Sequence, residues 1–167
     1  MMMTLSKLKF FSCAILTAMI SCSALANQKL SASSLGSWFV KHPLPNSTVS
    51  SEFGQRVMNG KVEGHSGLDL AAKAGTEIYA TGPGIVTKSG WGKGYGNYIE
   101  IDHRNGYFTR YAHASKLHVE IGDQVHAGQH IADVGCTGRC TGPHLHFEVV
   151  KAGKRQNPSS YLALLPE

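Results

Sequence analysis

The chain has 167 residues, with 16 Lys+Arg against 11 Asp+Glu, nine His, four Cys and 19 Gly. That length suits one domain with a processed end, and a composition 42% hydrophobic and 16% charged excludes a globally disordered chain. The formal charge of +5 is scattered rather than gathered into a basic block, which argues against nucleic-acid binding and fits any polyanionic partner.

In chain order, Lys7 and Lys9 precede an apolar run from Phe10 to Ile20, and small residues follow up to Ala24-Leu25-Ala26. This is the order of a secretory signal peptide, with cleavage expected after Ala26. The run is about half of the ~20 residues a spanning helix needs, so no transmembrane anchor is expected in the mature chain. Lipid attachment at Cys22 is the alternative, though Met19-Ile20-Ser21 makes a poor lipoprotein signal. Removing residues 1–26 takes away Lys7 and Lys9 and no acid, so +5 becomes +3. Residues 27–50 are rich in Ser, with Pro43, Pro45 and the apolar anchors Trp38, Phe39 and Val40, and read as an N-terminal arm or linker that could pack on the domain.

From Ser51 the dominant signal is short alternating runs broken by Gly: Glu77–Ala80, Gly84–Thr87, Asn97–Ile101, Tyr107–Tyr111, Gln129–Val134 and His144–Val149. Period-two runs of four to seven residues at this spacing predict an all-β domain over 51–163. Asn105-Gly106 predicts a hairpin turn, Leu162–Leu165 are expected to close a short terminal helix or turn, and 164–167 form the C-terminal tail. Ala74–Gly84 is echoed weakly by Ile121–Gly128, and the second copy resembles the folded-over hairpin of biotinyl and lipoyl carrier domains. No Lys stands at a hairpin tip, so the echo reads as shared β architecture rather than a carrier function.

Cys13 and Cys22 leave with the signal, and Cys136 and Cys140 remain. An even pair in an exported chain reads as a disulfide. The alternative, a Cys/Cys metal site, has an unusual spacing and no second Cys pair. Of the histidines, His42, His103, His118, His126 and His130 read as solvated or locally hydrogen-bonded. The other four stand in a different pattern. An extended backbone puts His65, Gly67 and Asp69 on one face, and His144 and His146 on one face of a second strand. Two His and one Asp form a three-ligand set of the catalytic-zinc type, with the third ligand open between His144 and His146. The helical H-E-x-x-H motif is absent.

The words GHSGLDL, YAHAS and TGPHLHFEV, in this order and spacing, resemble the lysostaphin-type (LytM-like) zinc metallopeptidases, which cut peptide cross-links in bacterial peptidoglycan. The similarity runs from Ser51–Arg56 to Asn157-Pro158. It implies an antiparallel two-sheet fold related to the barrel-sandwich hairpin, one Zn2+ held by His65, Asp69 and His146, and His113 and His144 as catalytic imidazoles. All five positions carry the residue type the family uses, which argues against a non-enzymatic regulator on the same fold; the alternative of an autoinhibited protein stays open, since residues 27–50 could occlude a competent cleft. The Cys136/Cys140 pair is a departure, since the family often has Ser, Thr or Asn there. Members of that family cut either Gly-Gly bonds in pentaglycine bridges or bonds between D-alanine and the diamino acid of directly cross-linked stems. A simple exported domain suits remodelling of a directly cross-linked wall in the periplasm, so a monomeric D,D-endopeptidase with peptidoglycan as partner is expected, with a secreted enzyme that lyses competitors as the alternative.

Overall fold

A computed structural model describes residues 38–58 and 60–165, and the leader and the first part of the arm lie outside the described residues. The strands are β1 (Thr48–Ser51), β2 (Gly54–Met58), β3 (Lys61–His65), β4 (Leu68–Ala71), β5 (Glu77–Tyr79), β6 (Gly84–Gly92), β7 (Gly96–Asp102), β8 (Tyr107–Ala114), β9 (Lys116–Leu117), β10 (Gln124–Val125), β11 (His130–Asp133), β12 (His144–Lys151) and β13 (Lys154–Gln156). Among the described residues one short helix, α1, covers Ser159–Leu162, and Leu162–Leu165 close it as a turn in which Leu165 N–H donates to Leu162 O. Among the described residues no helix is long and apolar enough to cross a membrane.

All strand pairs are antiparallel. The main sheet runs β1-β4-β12-β8-β7-β6-β10, with β13 added to β12; a second sheet runs β5-β11-β9, and β2-β3 form a separate ribbon. The alternation that signals these strands buries Leu68, Leu70, Ile99, Ile101, Tyr111, Leu145, Phe147 and Ile131. The two halves of the sequence echo dock on each other: Ala80 N–H donates to Gln129 O and Gly128 N–H to Ala80 O, while Val86 N–H donates to Asp123 O and Gly122 N–H to Val86 O. The hairpin between β7 and β8 turns where Asn105-Gly106 predicts it. The left-handed residues are Arg104 and Gly106, however, because Asp102 and Asn105 side chains accept the turn's N–H groups at Arg104 and Tyr107.

The described part of the arm, from Trp38, packs against the rest of the domain. Trp38, Phe39 and Leu44 are buried, β1 pairs with β4, and Val40 N–H donates to Thr81 O. Trp38 stacks on Tyr107 at 4.1 Å and meets Tyr161 edge-on at 5.6 Å. Such aromatic pairs contribute roughly 0.5–1.5 kcal/mol each beyond the area they bury. Gly82 permits the close approach, since a Cβ there would lie 1.9 Å from Trp38 O.

Beneath this aromatic cluster, His103 is a structural residue. Its Nδ1–H donates to Pro83 O at 2.8 Å, and its Nε2 shares a hydrogen bond with Thr109 Oγ1, which in turn bonds to Tyr111 Oη. Burial lowers the His103 pKa from 6.5, outweighing the opposing effects of the Pro83 carbonyl and Asp102. The folded state therefore binds this proton less readily than the unfolded state. The stability His103 contributes is present above pH 6.5 and is lost as pH falls toward its depressed value. In urea unfolding series at several pH values, the stability difference between wild type and His103→Gln is expected to shrink below pH 6.5.

Candidate metal centre

The centre forms where three strands present polar residues on one face. His146 on β12 sits directly opposite Asp69 on β4 and opposite Ala112 on β8. His65 ends β3, and Ser66-Gly67 break the chain before β4. That break brings His65 to Asp69 by a turn between two strands rather than along one extended face. Gly67 is required by packing: a Cβ there would lie 2.5 Å from Phe147 O and 2.8 Å from His146 Cε1.

Three ligand atoms converge. His65 Nε2 lies 3.0 Å from Asp69 Oδ1 and 3.1 Å from His146 Nδ1, and His146 Nδ1 lies 2.8 Å from Asp69 Oδ1. Hydrogen bonds behind the rings fix which nitrogens face inward. His65 Nδ1–H donates to Glu52 O at 2.6 Å, and His146 Nε2–H donates to Glu148 Oε1 at 3.2 Å. With those protons outward, His65 Nε2, His146 Nδ1 and Asp69 Oδ1 turn lone pairs toward one point. Three buried donor atoms around one point could hold a metal ion. Their spacing is close to the roughly 3.3 Å edge of a tetrahedral set at zinc–ligand distances of 2.0–2.1 Å. The donor set therefore fits a single zinc ion; His146 Nδ1 lies 2.8 Å from Asp69 Oδ1, whereas His144 Nε2 lies 3.6 Å from it.

Asp69 Oδ2 is turned the other way, to Arg56 Nη1 at 2.7 Å. Glu148 is fully buried and gathers Ser66 Oγ, Tyr95 Oη at 2.9 Å, Arg110 Nη1 at 3.0 Å and Arg155 Nε at 3.3 Å. Burial opposes its ionisation. Hydrogen bonds from His146 and Ser66 outweigh that and bring its pKa down to about 2, so it faces His146 as a carboxylate. Sequence reasoning missed Glu148, Arg56 and Arg110. The signal for Glu148 was available, since it lies two residues beyond His146 on the same strand face.

The remaining two imidazoles flank the cluster. His144 Nδ1–H donates to Gly142 O at 2.7 Å, and its Nε2 lies 3.6 Å from Asp69 Oδ1. His113 Nδ1–H donates to Thr137 O at 2.7 Å, and the two rings are 4.8 Å apart. Burial is the largest cause pushing the His113 pKa down, to about 4, and the neighbouring His144 and His146 push the same way. His113 also has φ +64°, a left-handed conformation that costs a residue with a Cβ about 1–3 kcal/mol. Its N–H bond to Tyr95 O and its ring bond to Thr137 O hold it there. Two grooves meet at the cluster and share Arg56, His113 and Arg139; one passes His65, His146 and Tyr95, the other Ser51, Asp69 and His144. The histidines read as ordinary, His42, His103, His118, His126 and His130, are absent from both grooves.

The Cys136–Cys140 disulfide is formed, with Cα atoms 5.3 Å apart. Its loop seats the His113 wall: Thr137 supplies the carbonyl for His113 and its hydroxyl donates to Ala114 O, while Arg139 N–H donates to Gly94 O. Gly138 permits the contact, because its φ is +72° and a Cβ would lie 2.3 Å from Gly96 N.

The fold and the converging donors together define an antiparallel β domain with a two-histidine, one-carboxylate centre. Residues 63–158 match peptidase family M23, and the chain belongs to that family. It is 42% identical over 123 residues to the peptidoglycan DD-endopeptidase ShyC of Vibrio cholerae, covering 72% of this chain and 28% of that protein. It is 42% identical over 127 residues to the DD-carboxypeptidase/endopeptidase Mpg of Neisseria meningitidis, covering 75% and 29%. The chain thus spans less than a third of the length of these relatives. Among solved structures it resembles a zinc-containing peptidase from Vibrio cholerae, with TM-score 0.68, 38% identity and coverage of 77% of this chain and 40% of that one. It also resembles the catalytic domain of lysostaphin from Staphylococcus simulans, with TM-score 0.65, 33% identity and coverage of 71% and 93%.

Two outcomes test this construction. Gly67→Ala should displace the His146 ring and weaken divalent-metal binding by at least ~10-fold, as loss of a supporting contact does at metal sites, measured by competition with a chromogenic chelator. Closing a loop of this size constrains the unfolded chain by about 2 kcal/mol. Cys136→Ser/Cys140→Ser should therefore lower unfolding stability by that amount in urea titrations, and reductant should do the same to wild type.

Proposed function

We propose that this chain is an exported zinc metallo-endopeptidase that hydrolyses peptide cross-links of bacterial peptidoglycan, as a D,D-endopeptidase on directly cross-linked stems. The observation that carries this reading is the convergence of three buried acceptors, His65 Nε2, Asp69 Oδ1 and His146 Nδ1, at the junction of two open grooves. The named activities of ShyC and Mpg support the bond class, and the zinc-containing peptidase structure supports the metal.

In this reading His65, Asp69 and His146 hold one Zn2+, which when bound supplies Lewis acidity toward the scissile carbonyl and the attacking water. His113 and His144 handle the protons. Each ring has its Nδ1–H tied to a backbone carbonyl, which leaves Nε2 directed to the cleft. Burial keeps His113 neutral, the state required of an acceptor for a proton from water. The pair divides two duties, taking that proton and delivering one to the departing amine while an N–H steadies negative charge on the carbonyl oxygen. Arg56 and Glu148 orient Asp69 and His146.

Export rests on the leader, residues 1–26, which lies outside the described residues; the periplasm is the proposed site of action. Residues 27–50 form the proposed arm, 51–163 the catalytic unit and 164–167 the tail, in a monomeric protein.

The test uses zinc-loaded protein and directly cross-linked peptidoglycan, with released peptides and new amino termini identified by mass spectrometry. Chelator-sensitive loss of cross-linked dimers, with new termini at the diamino acid of the stem, is expected. His65→Ala, Asp69→Ala and His146→Ala should lose zinc and cleavage together. His113→Ala and His144→Ala should keep most of the metal while cleavage falls at least ~100-fold, the usual contribution of a positioned acid or base. A zinc-loaded wild type that leaves the cross-links intact would overturn the assignment.

A further inference from the structure

We propose that His118, His130 and Asp133 form a second site for a divalent transition metal, on the β5-β11-β9 sheet and separate from the cleft donors of β3, β4 and β12. The three ligand groups lie within 4.8 Å of one another. His118 Nε2 is 2.9 Å from Asp133 Oδ2, and His130 Nε2 is 2.7 Å from Asp133 Oδ1. The two rings are 4.4 Å apart. All three side chains are partly open to solvent, at 26%, 33% and 19% exposure for His118, His130 and Asp133, so an ion can reach them.

A backbone irregularity builds the site. His130 and Asp133 are three apart, and a regular strand would point them to opposite faces. Between Tyr79 and Ile78 of β5, however, β11 advances from His130 to Ala132, so Ile131 is an extra residue. That bulge leaves Ile131 and Ala132 both buried and turns His130 and Asp133 to the same outer face. His118 is brought alongside by β9, where Leu117 pairs with Ala132 and His118 N–H donates to Ile131 O at 2.8 Å.

A carboxylate stands behind one imidazole. Glu77 lies opposite Asp133 in register, and its Oε1 is 3.9 Å from His130 Nδ1. A bound ion takes the Nε2 lone pairs, so each neutral ring carries its proton on Nδ1, and at His130 that proton faces Glu77. A carboxylate behind a ligating histidine is the usual supporting partner at such sites. Two imidazoles and one carboxylate suit zinc, nickel or copper rather than magnesium or calcium.

The test counts zinc in the purified protein by plasma mass spectrometry after equilibrium dialysis against buffered free Zn2+. The proposal expects His118→Gln/His130→Gln to hold one equivalent less than wild type, with Asp133→Asn showing the same loss and both keeping the wild-type circular dichroism spectrum. It also expects His65→Ala/His146→Ala to retain one equivalent that the further change His130→Gln removes. Equal zinc in wild type and in His118→Gln/His130→Gln at saturating Zn2+ would overturn it. The cleft is scored by its own variants, so failure of the surface site and failure of the catalytic reading give different counts.

Discussion

The register between β4 and β12 is the constraint on which the centre depends. It sets His146 against Asp69, and what holds it is apolar. Leu68 and Leu70 on β4, and Leu145 and Phe147 on β12, are almost completely buried on the opposite face. A slip of one residue would turn all four outward and the ligands inward. At roughly 1.5–3 kcal/mol per buried side chain, that alternative is strongly disfavoured. The alternation that builds the core therefore also aims the chemistry, and Gly67 clears the space that the aimed His146 ring occupies.

The polar face of the same sheet carries a different arrangement. Glu100 on β7, Arg110 on β8 and Glu148 on β12 are cross-strand neighbours in register. Arg110 Nε is 2.6 Å from Glu100 and its Nη1 3.0 Å from Glu148. A charge as buried as Glu148 persists only with partners on its oxygens. The ladder supplies them, and its last member fixes the tautomer of His146. A polar row across three strands thus ends at His146 Nε2, so the orientation of that ring is set by residues of the sheet beneath the centre.

Much of this was legible in the sequence, for identifiable reasons. Long alternating runs such as Asn97–Ile101 and His144–Val149 mark central strands because both the period and the burial are strong. The short strands β1, β9, β10 and β13 carry too few residues for a period and are defined by their partners. The His65–Asp69 pair was visible, but through the wrong local geometry: the chain turns at Ser66-Gly67 instead of running extended, and only the pairing of β4 with β12 reveals it. Trp38, Phe39 and Leu44 stand in a Ser- and Pro-rich stretch whose composition suggests a linker, and their burial follows from the aromatic partners Tyr107, Tyr161 and Phe147, far away in sequence. The period of two places Glu148 on the face of His146, but its partners do not show in the sequence, because Arg110 approaches it from β8 and Tyr95 from the turn between β6 and β7.

The two histidine–aspartate clusters show why spacing alone separates sites unevenly. In the cleft, His144, His146 and Glu148 follow period two on a regular strand, so the sequence exposes the shared face directly. On β11, His130 and Asp133 break that period, and a reading that assumes a regular strand sends them apart. The extra residue at Ile131 reverses the conclusion while leaving the apolar pattern intact, since both Ile131 and Ala132 remain buried. A bulge costs a ladder position but can gather ligands that a straight strand would separate. The same two-His, one-Asp composition therefore occurs twice in this domain, once through the β4–β12 register and the turn that returns His65 to it, and once through a bulge in β11.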